Sequence, residues 1–327
     1  MRTGRWVPAS VGGTLAVLAM AACTSHPVVA HGTSTPDPGP PAPAAPATPT
    51  ATRTPAISGV FYYIDDRNHD ELYRSTPTGL VRVLSTFARN ANVSPDGQQV
   101  ANVVGADLVV TDRDGGPRRI LTHGVLGDGF EPAWSPDGTR LLVARPIPTG
   151  TTETPGVVDV HTGQFTPLAH NPDGIHYLWS ADGRHLGYAT GECQLGLADP
   201  DGGNAHLVPV FGDLDKKVNP DQRRSCDPFS ISPDGTRMAV AMHTGDMTDG
   251  DIGRDVFANT VVDTRTGATV RLPVTGTVRA ILFQPDGSML VRSSTGLVLV
   301  SADGTVVARA TEPAGTKDMS LLAYVPA

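Results

Sequence analysis

The segment FEPAWSPDGTRLLVAR, Phe130–Arg145, is two apolar runs joined by Ser-Pro-Asp-Gly. Proline presets φ at the second position of such a turn, aspartate bonds to its own backbone, and glycine accepts a positive φ as the chain reverses. The turn recurs as VSPDG at Val93–Gly97, WSADG at Trp179–Gly183, ISPDG at Ile231–Gly235 and FQPDG at Phe283–Gly287. Successive copies are 41, 45, 52 and 52 residues apart, the period of a propeller or solenoid. A turn used five times is a hairpin device, not a single catalytic site.

After each hairpin a third apolar run ends in an Asp/Gly turn and a fourth follows. DLVVTDRDGG (Asp107–Gly116) with PRRILT (Pro117–Thr122) is the first such pair. Short alternating runs bounded by Gly and Asp are strands, and four strands per repeat make a propeller blade. The ends supply the count. Residues Gly59–Ser85 provide three strands of a blade that lacks its first, and the terminal LLAYVPA places Tyr324-Val325-Pro326 where Trp-Ser-Pro falls elsewhere. Five complete blades and one shared blade make an all-β, six-bladed propeller over residues 58–327. Its C-terminal strand closes the ring and leaves only short protected edges.

Trp134–Arg140 and Ile231–Arg237, both [WI]-Ser-Pro-Asp-Gly-Thr-Arg, resemble the repeats of TolB-like β-propellers. The resemblance covers about residues 58–327 and implies the fold. TolB itself has a small α/β domain ahead of its propeller, where this chain has a Pro-rich stretch, so its dedicated partner does not carry over.

Residues 1–22 combine Arg2 and Arg5 with the apolar run Val11–Met20 and then Ala21-Ala22. A basic start, a short apolar core and small residues describe an export signal, too short for an ordinary membrane span. Cys23 follows directly, as in the bacterial lipobox, which makes it the expected lipidated residue of an exported protein held on the cell envelope. The plainer alternative is a secretory signal with an incidental cysteine. Residues 23–57 are rich in Pro, Ala, Thr and Ser, with too little apolar bulk to fold, and are expected to be a disordered tether. Losing Arg2 and Arg5 with the signal takes the formal charge from −8 to −10. No basic cluster stands out, which argues against nucleic acid as a partner.

Enzyme motifs are scarce. There is no G-x-S-x-G elbow and no H-E-x-x-H pair. Loop length carries more. The turns between first and second strands lie on one face of a propeller disc and are uniformly short. The connections on the other face hold all the long insertions: Pro146–Pro155, Phe211–Ser225 and His243–Asp255. Long loops on a rigid scaffold are where binding usually resides. An envelope protein, peptide or glycan is the expected partner on this elaborated face, with the propeller itself monomeric.

Aligning on the hairpin puts Asn90, Glu131, His176, Asp227 and Arg279 at the channel mouth on that face. They are candidates for a small polar ligand, or simply the hydrated wall of a wet channel. Asp246, Asp249, Asp251 and Asp255 make the third insertion rich in oxygen ligands, a weak candidate Ca²⁺ loop whose spacing does not match an EF-hand; otherwise no cofactor is expected. A metal-dependent hydrolase of lactonase type, with a channel metal on Glu131, Asn90 and Asp227, is the rival to a binding scaffold. With Cys23 committed to lipid, Cys193 and Cys226 form an even pair in an oxidising compartment and are expected to bridge, the alternative being two buried thiols.

Overall fold

The computed structural model describes residues 56–327 except 66, 68–70, 87, 128, 148–152, 211–222, 245–253 and 255. Cys23, the signal segment and the four loop aspartates therefore lie outside the described residues.

Six four-stranded antiparallel sheets follow one another along the chain and form the blades of a propeller. Their inner strands are Met319–Pro326 for blade 1, then Asn92–Val93, Ala133–Trp134, Ile175–Trp179, Pro228–Ile231 and Val278–Phe283 for blades 2 to 6. Blade 1 takes its innermost strand from the C-terminal end. The pairing runs from Gly59↔Pro326 to Asp65↔Met319, so the ring closes as the repeat count requires.

The repeated turn builds four of the five inner hairpins in the same way. Ser94, Ser135, Ser180 and Ser232 each donate a hydroxyl hydrogen bond to the aspartate two residues on, at 2.6–2.8 Å. The same oxygen accepts from the backbone N–H five residues on, at 2.9–3.0 Å. One serine thus satisfies the turn and fixes the register of the next strand. Gly235 shows why glycine ends the motif. Its φ is +68°, and a Cβ there would sit 2.7 Å from the His185 ring.

Blades pack through their faces. Trp134 lies among Ala101, Val103 and Leu108 of blade 2, and Trp179 lies with Leu142 and Ala144 of blade 3. These tryptophans are inter-blade packing, as their place before the turn suggests. At the seam, Phe61 stacks on Tyr324 with ring centroids 5.1 Å apart, and the Tyr324 hydroxyl donates to the Ser58 carbonyl at 2.8 Å. Arg292 of blade 6 braces the loop that leads into the closing strand. Its buried guanidinium donates to the carbonyls of Thr316, at 2.8 Å, and Met319, and it pairs with Glu312 at 2.5 Å.

Strand pairing reaches the ends of the insertions among the described residues. At the base of the first insertion the strands Arg140–Pro146 and Glu153–Asp159 pair out to Pro146↔Glu153. Arg223–Arg224 pairs with His243–Thr244 in a separate two-stranded ladder, so the other two insertions are joined to each other. Cys193 and Cys226 form a disulfide with Cα atoms 4.2 Å apart and a sequence separation of 33. It ties a connection of blade 4 to the start of the inner strand of blade 5. Closing a loop of that size contributes about 3–4 kcal/mol in the chain-entropy account.

Candidate binding site in the central channel

Inner strands of all six blades surround a cavity of about 300 Å³ on the propeller axis. One residue two positions before each turn contributes to the wall: Asn92, Ala133, Leu178, Ser230, Leu282 and Ala323. Most are apolar. The turn prolines Pro95, Pro285 and Pro326 also line it and are exposed, so the cavity reaches the plain face of the disc.

Its other end is charged. Glu131 of blade 3, His176 of blade 4 and Asp227 of blade 5 meet there, with side chains 3%, 0% and 2% exposed. His176 bridges the two acids. Its Nδ1 lies 3.1 Å from Glu131 Oε2 and its Nε2 lies 3.5 Å from Asp227 Oδ1. Backbone irregularity makes this bridge. The ladder of Ile175–Trp179 shifts register between Ile175 and Leu178, and His176 inside that bulge has φ +52°. Its N–H donates to the Gly129 carbonyl of the preceding blade at 2.7 Å. A non-glycine residue in this region costs on the order of 1 kcal/mol, and such strain concentrates at functional positions.

Desolvation disfavours charge on both Glu131 and His176, but the contacts between them prevail. Burial pushes the Glu131 carboxyl up; the His176 hydrogen bond and the Arg254 guanidinium more than offset it, holding it below its ordinary 4.5. Burial pushes the imidazole down; the hydrogen bond and charge of Glu131, with Asp227, lift it above 6.5. The ion pair therefore stabilises the fold fully between about pH 4.5 and 6.5. The Glu131 contribution is lost as pH falls through its lowered value, and that of His176 as pH rises through its raised one. His176→Gln should cost about 3–5 kcal/mol by removing the positive charge that bridges the buried Glu131 and Asp227 carboxylates. It should also abolish the decline of the melting temperature above pH 6.5 that the wild type shows. A variant that keeps the wild-type alkaline slope would mean that His176 is not the charged bridge.

Three of the five residues aligned at the channel mouth thus come together. Asn90 makes no hydrogen bond to them among the described residues. It ends the 3₁₀ turn Ala88–Asn90 and lies near Gly127. Nor does Arg279, whose guanidinium donates to the Lys317 carbonyl at 3.2 Å in a separate cleft of blade 6. Arg254 lines the charged end of the cavity and was not anticipated. It comes from the long connection of blade 5, outside the repeat, where alignment has no register to offer. The imidazole stands between Glu131 and Asp227, one acid at each nitrogen. Among the described residues no group of three His, Cys, Asp or Glu side chains is placed to hold a metal ion.

No family model and no curated protein matches the chain. Solved structures similar to it include TolB from Acinetobacter baumannii, at 18% identity and TM-score 0.49, matched over 77% of this chain and 63% of that one. A putative TolB from Agrobacterium tumefaciens is 15% identical at TM-score 0.39, over 84% and 100% of the two chains. An oligogalacturonate lyase in complex with manganese is 15% identical at TM-score 0.43, over 76% and 78%. The chain spans less than two thirds of the Acinetobacter protein. These are likenesses of fold and bring no activity with them. The six-bladed propeller expected from the repeats is the fold that this chain adopts.

Proposed function

We propose that this chain is an envelope lipoprotein whose propeller is a binding scaffold, engaging an envelope protein, peptide or glycan through its long-loop face. One observation supports this reading above others. The N-terminal strand begins at Gly59, paired with Pro326 beside the short turns, and Tyr62 donates its hydroxyl to the carbonyl of the blade 2 turn residue Gly97 at 2.8 Å. The chain thus enters the ring on the plain face, and an anchor at Cys23 would leave the face with the insertions free. That face is also the one reinforced by the disulfide and by the extra two-stranded ladder. Long connections on a braced scaffold suit recognition of a partner.

Anchoring is tested by fractionation. The wild type should partition with membranes and into detergent, whereas Cys23→Ser should appear in the soluble exported fraction or stay unprocessed. Identical distribution of the two proteins would remove the lipoprotein reading and leave the scaffold reading to be tested separately.

A further inference from the structure

Blade 6 carries a second cleft, apart from the channel. It lies between the turn 293–296, which joins the second and third strands, and the connection 311–317, which leads into the closing strand. Both belong to the long-loop face. The cleft measures about 450 Å³, room for roughly fifteen waters at the volume each occupies in the liquid. No aromatic side chain lines it, and no apolar one larger than proline.

Its charge is one-sided. The wall carries Arg279, Arg292 and Lys317 against a single acid, Glu312. That acid is already engaged by Arg292, whose side chain is 2% exposed. Arg279 and Lys317 are exposed, and no carboxylate pairs with either among the described residues. Asp318, the next acid along the chain, is outside the wall and acts on Arg67 of blade 1. Arg279 also donates to the Lys317 carbonyl at 3.2 Å, which fixes its guanidinium against the connection and leaves its other N–H groups for a ligand.

Smaller donors surround these cations. The Ser294 hydroxyl accepts from the Thr277 N–H at 3.0 Å, so its own hydrogen is left to donate. The N–H groups of Ala314 and Gly315 meet no acceptor among the described residues, at a turn where Gly315 has φ +91°. Free N–H groups in succession at such a turn make a concavity for anions. Two cations and several neutral donors suit a group with several acceptor oxygens and about two negative charges, which describes a phosphomonoester. The remaining wall offers the hydroxyls of Thr295 and Thr311. It has no apolar pocket of the kind that anchors a peptide side chain, so the body that carries the phosphate is polar.

We propose that this cleft binds the phosphate of a phosphorylated sugar, and that the partner of the long-loop face is a phosphate-bearing glycan. The inference rests on the reading of that face as the binding surface. Arg279 and Lys317 take the phosphate oxygens with Ser294, and the sugar hydroxyls lie along Thr295 and Thr311.

Glucose 6-phosphate, inorganic phosphate, acetate and glucose, titrated into the purified full chain and followed by calorimetry and ligand-observed NMR, test this. Glucose 6-phosphate should bind at millimolar concentrations or below, more tightly than inorganic phosphate and about tenfold more tightly than acetate or glucose, and its affinity should fall as salt rises. Arg279→Gln and Lys317→Gln should each weaken binding about fivefold or more. Ala314→Glu sets a carboxylate in the wall at an exposed position; it should abolish binding, and it serves if either other variant melts early. Acetate or glucose binding as tightly as glucose 6-phosphate, inorganic phosphate binding as tightly as the sugar phosphate, no binding of any probe, or binding indifferent to all three substitutions would each overturn the inference. Whether a partner docks on the face at all is read separately, by crosslinking in cells, so failure here is distinguishable from failure of that reading.

Discussion

A chain lacking Met319–Ala327 should lose its cooperative melting transition and aggregate, not merely fray at one end. The deletion removes seven paired positions from blade 1 and uncovers the edge of Gly59–Asp65, an open template for pairing with other chains. It also removes Leu321 and Leu322, both buried, each of which contributes about 1.5–3 kcal/mol by leaving water. Arg292 would lose the carbonyl of Met319 that it holds from the neighbouring blade. The sum rivals the whole stability of an ordinary domain, about 5–15 kcal/mol. Calorimetry with light scattering reads the outcome. A truncated protein that melts as the wild type does would mean that the ring closes by some other strand.

Much of this fold was legible because one turn is chemically demanding. Ser, Asp and Gly in the hairpin each answer a particular backbone need, so five copies reveal the blades before any strand is assigned. The closing strand was legible for the same reason, through the correspondence of Tyr324-Val325-Pro326 with Trp-Ser-Pro. The site was only partly legible. Counting back from the turn reached Glu131, His176 and Asp227, which meet, and Arg279, which bonds in a separate cleft. For Arg279 the reason lies in the strand, whose register shifts between Val278 and Ala280. Bulges between Ile175 and Leu178, Pro228 and Ser230, and Val278 and Ala280 change how far each inner strand advances per residue, and no residue type announces them. Arg254 was beyond reach because the connection that carries it has no repeat partner. The ladder of Arg223–Arg224 with His243–Thr244 joins two insertions that look independent in sequence, and two-residue strands leave no periodicity to read.

The division of labour between the faces is the centre of this account, and crosslinking tests it most directly. Photoreactive residues at Glu192 and Lys317 report on the long-loop face, and at Gln98 and Ala302 on the plain face. All four positions are exposed and belong to turns or connections, so substitution there should leave the melting temperature within a degree or two. Irradiated in intact cells, Glu192 and Lys317 should give discrete adducts of higher mass that vanish in a strain making a loop-shortened variant lacking residues 245–250. Gln98 and Ala302 should give none. Adducts formed only from the plain face, or none from any of the four positions, would contradict the assignment of the long-loop face as the binding surface.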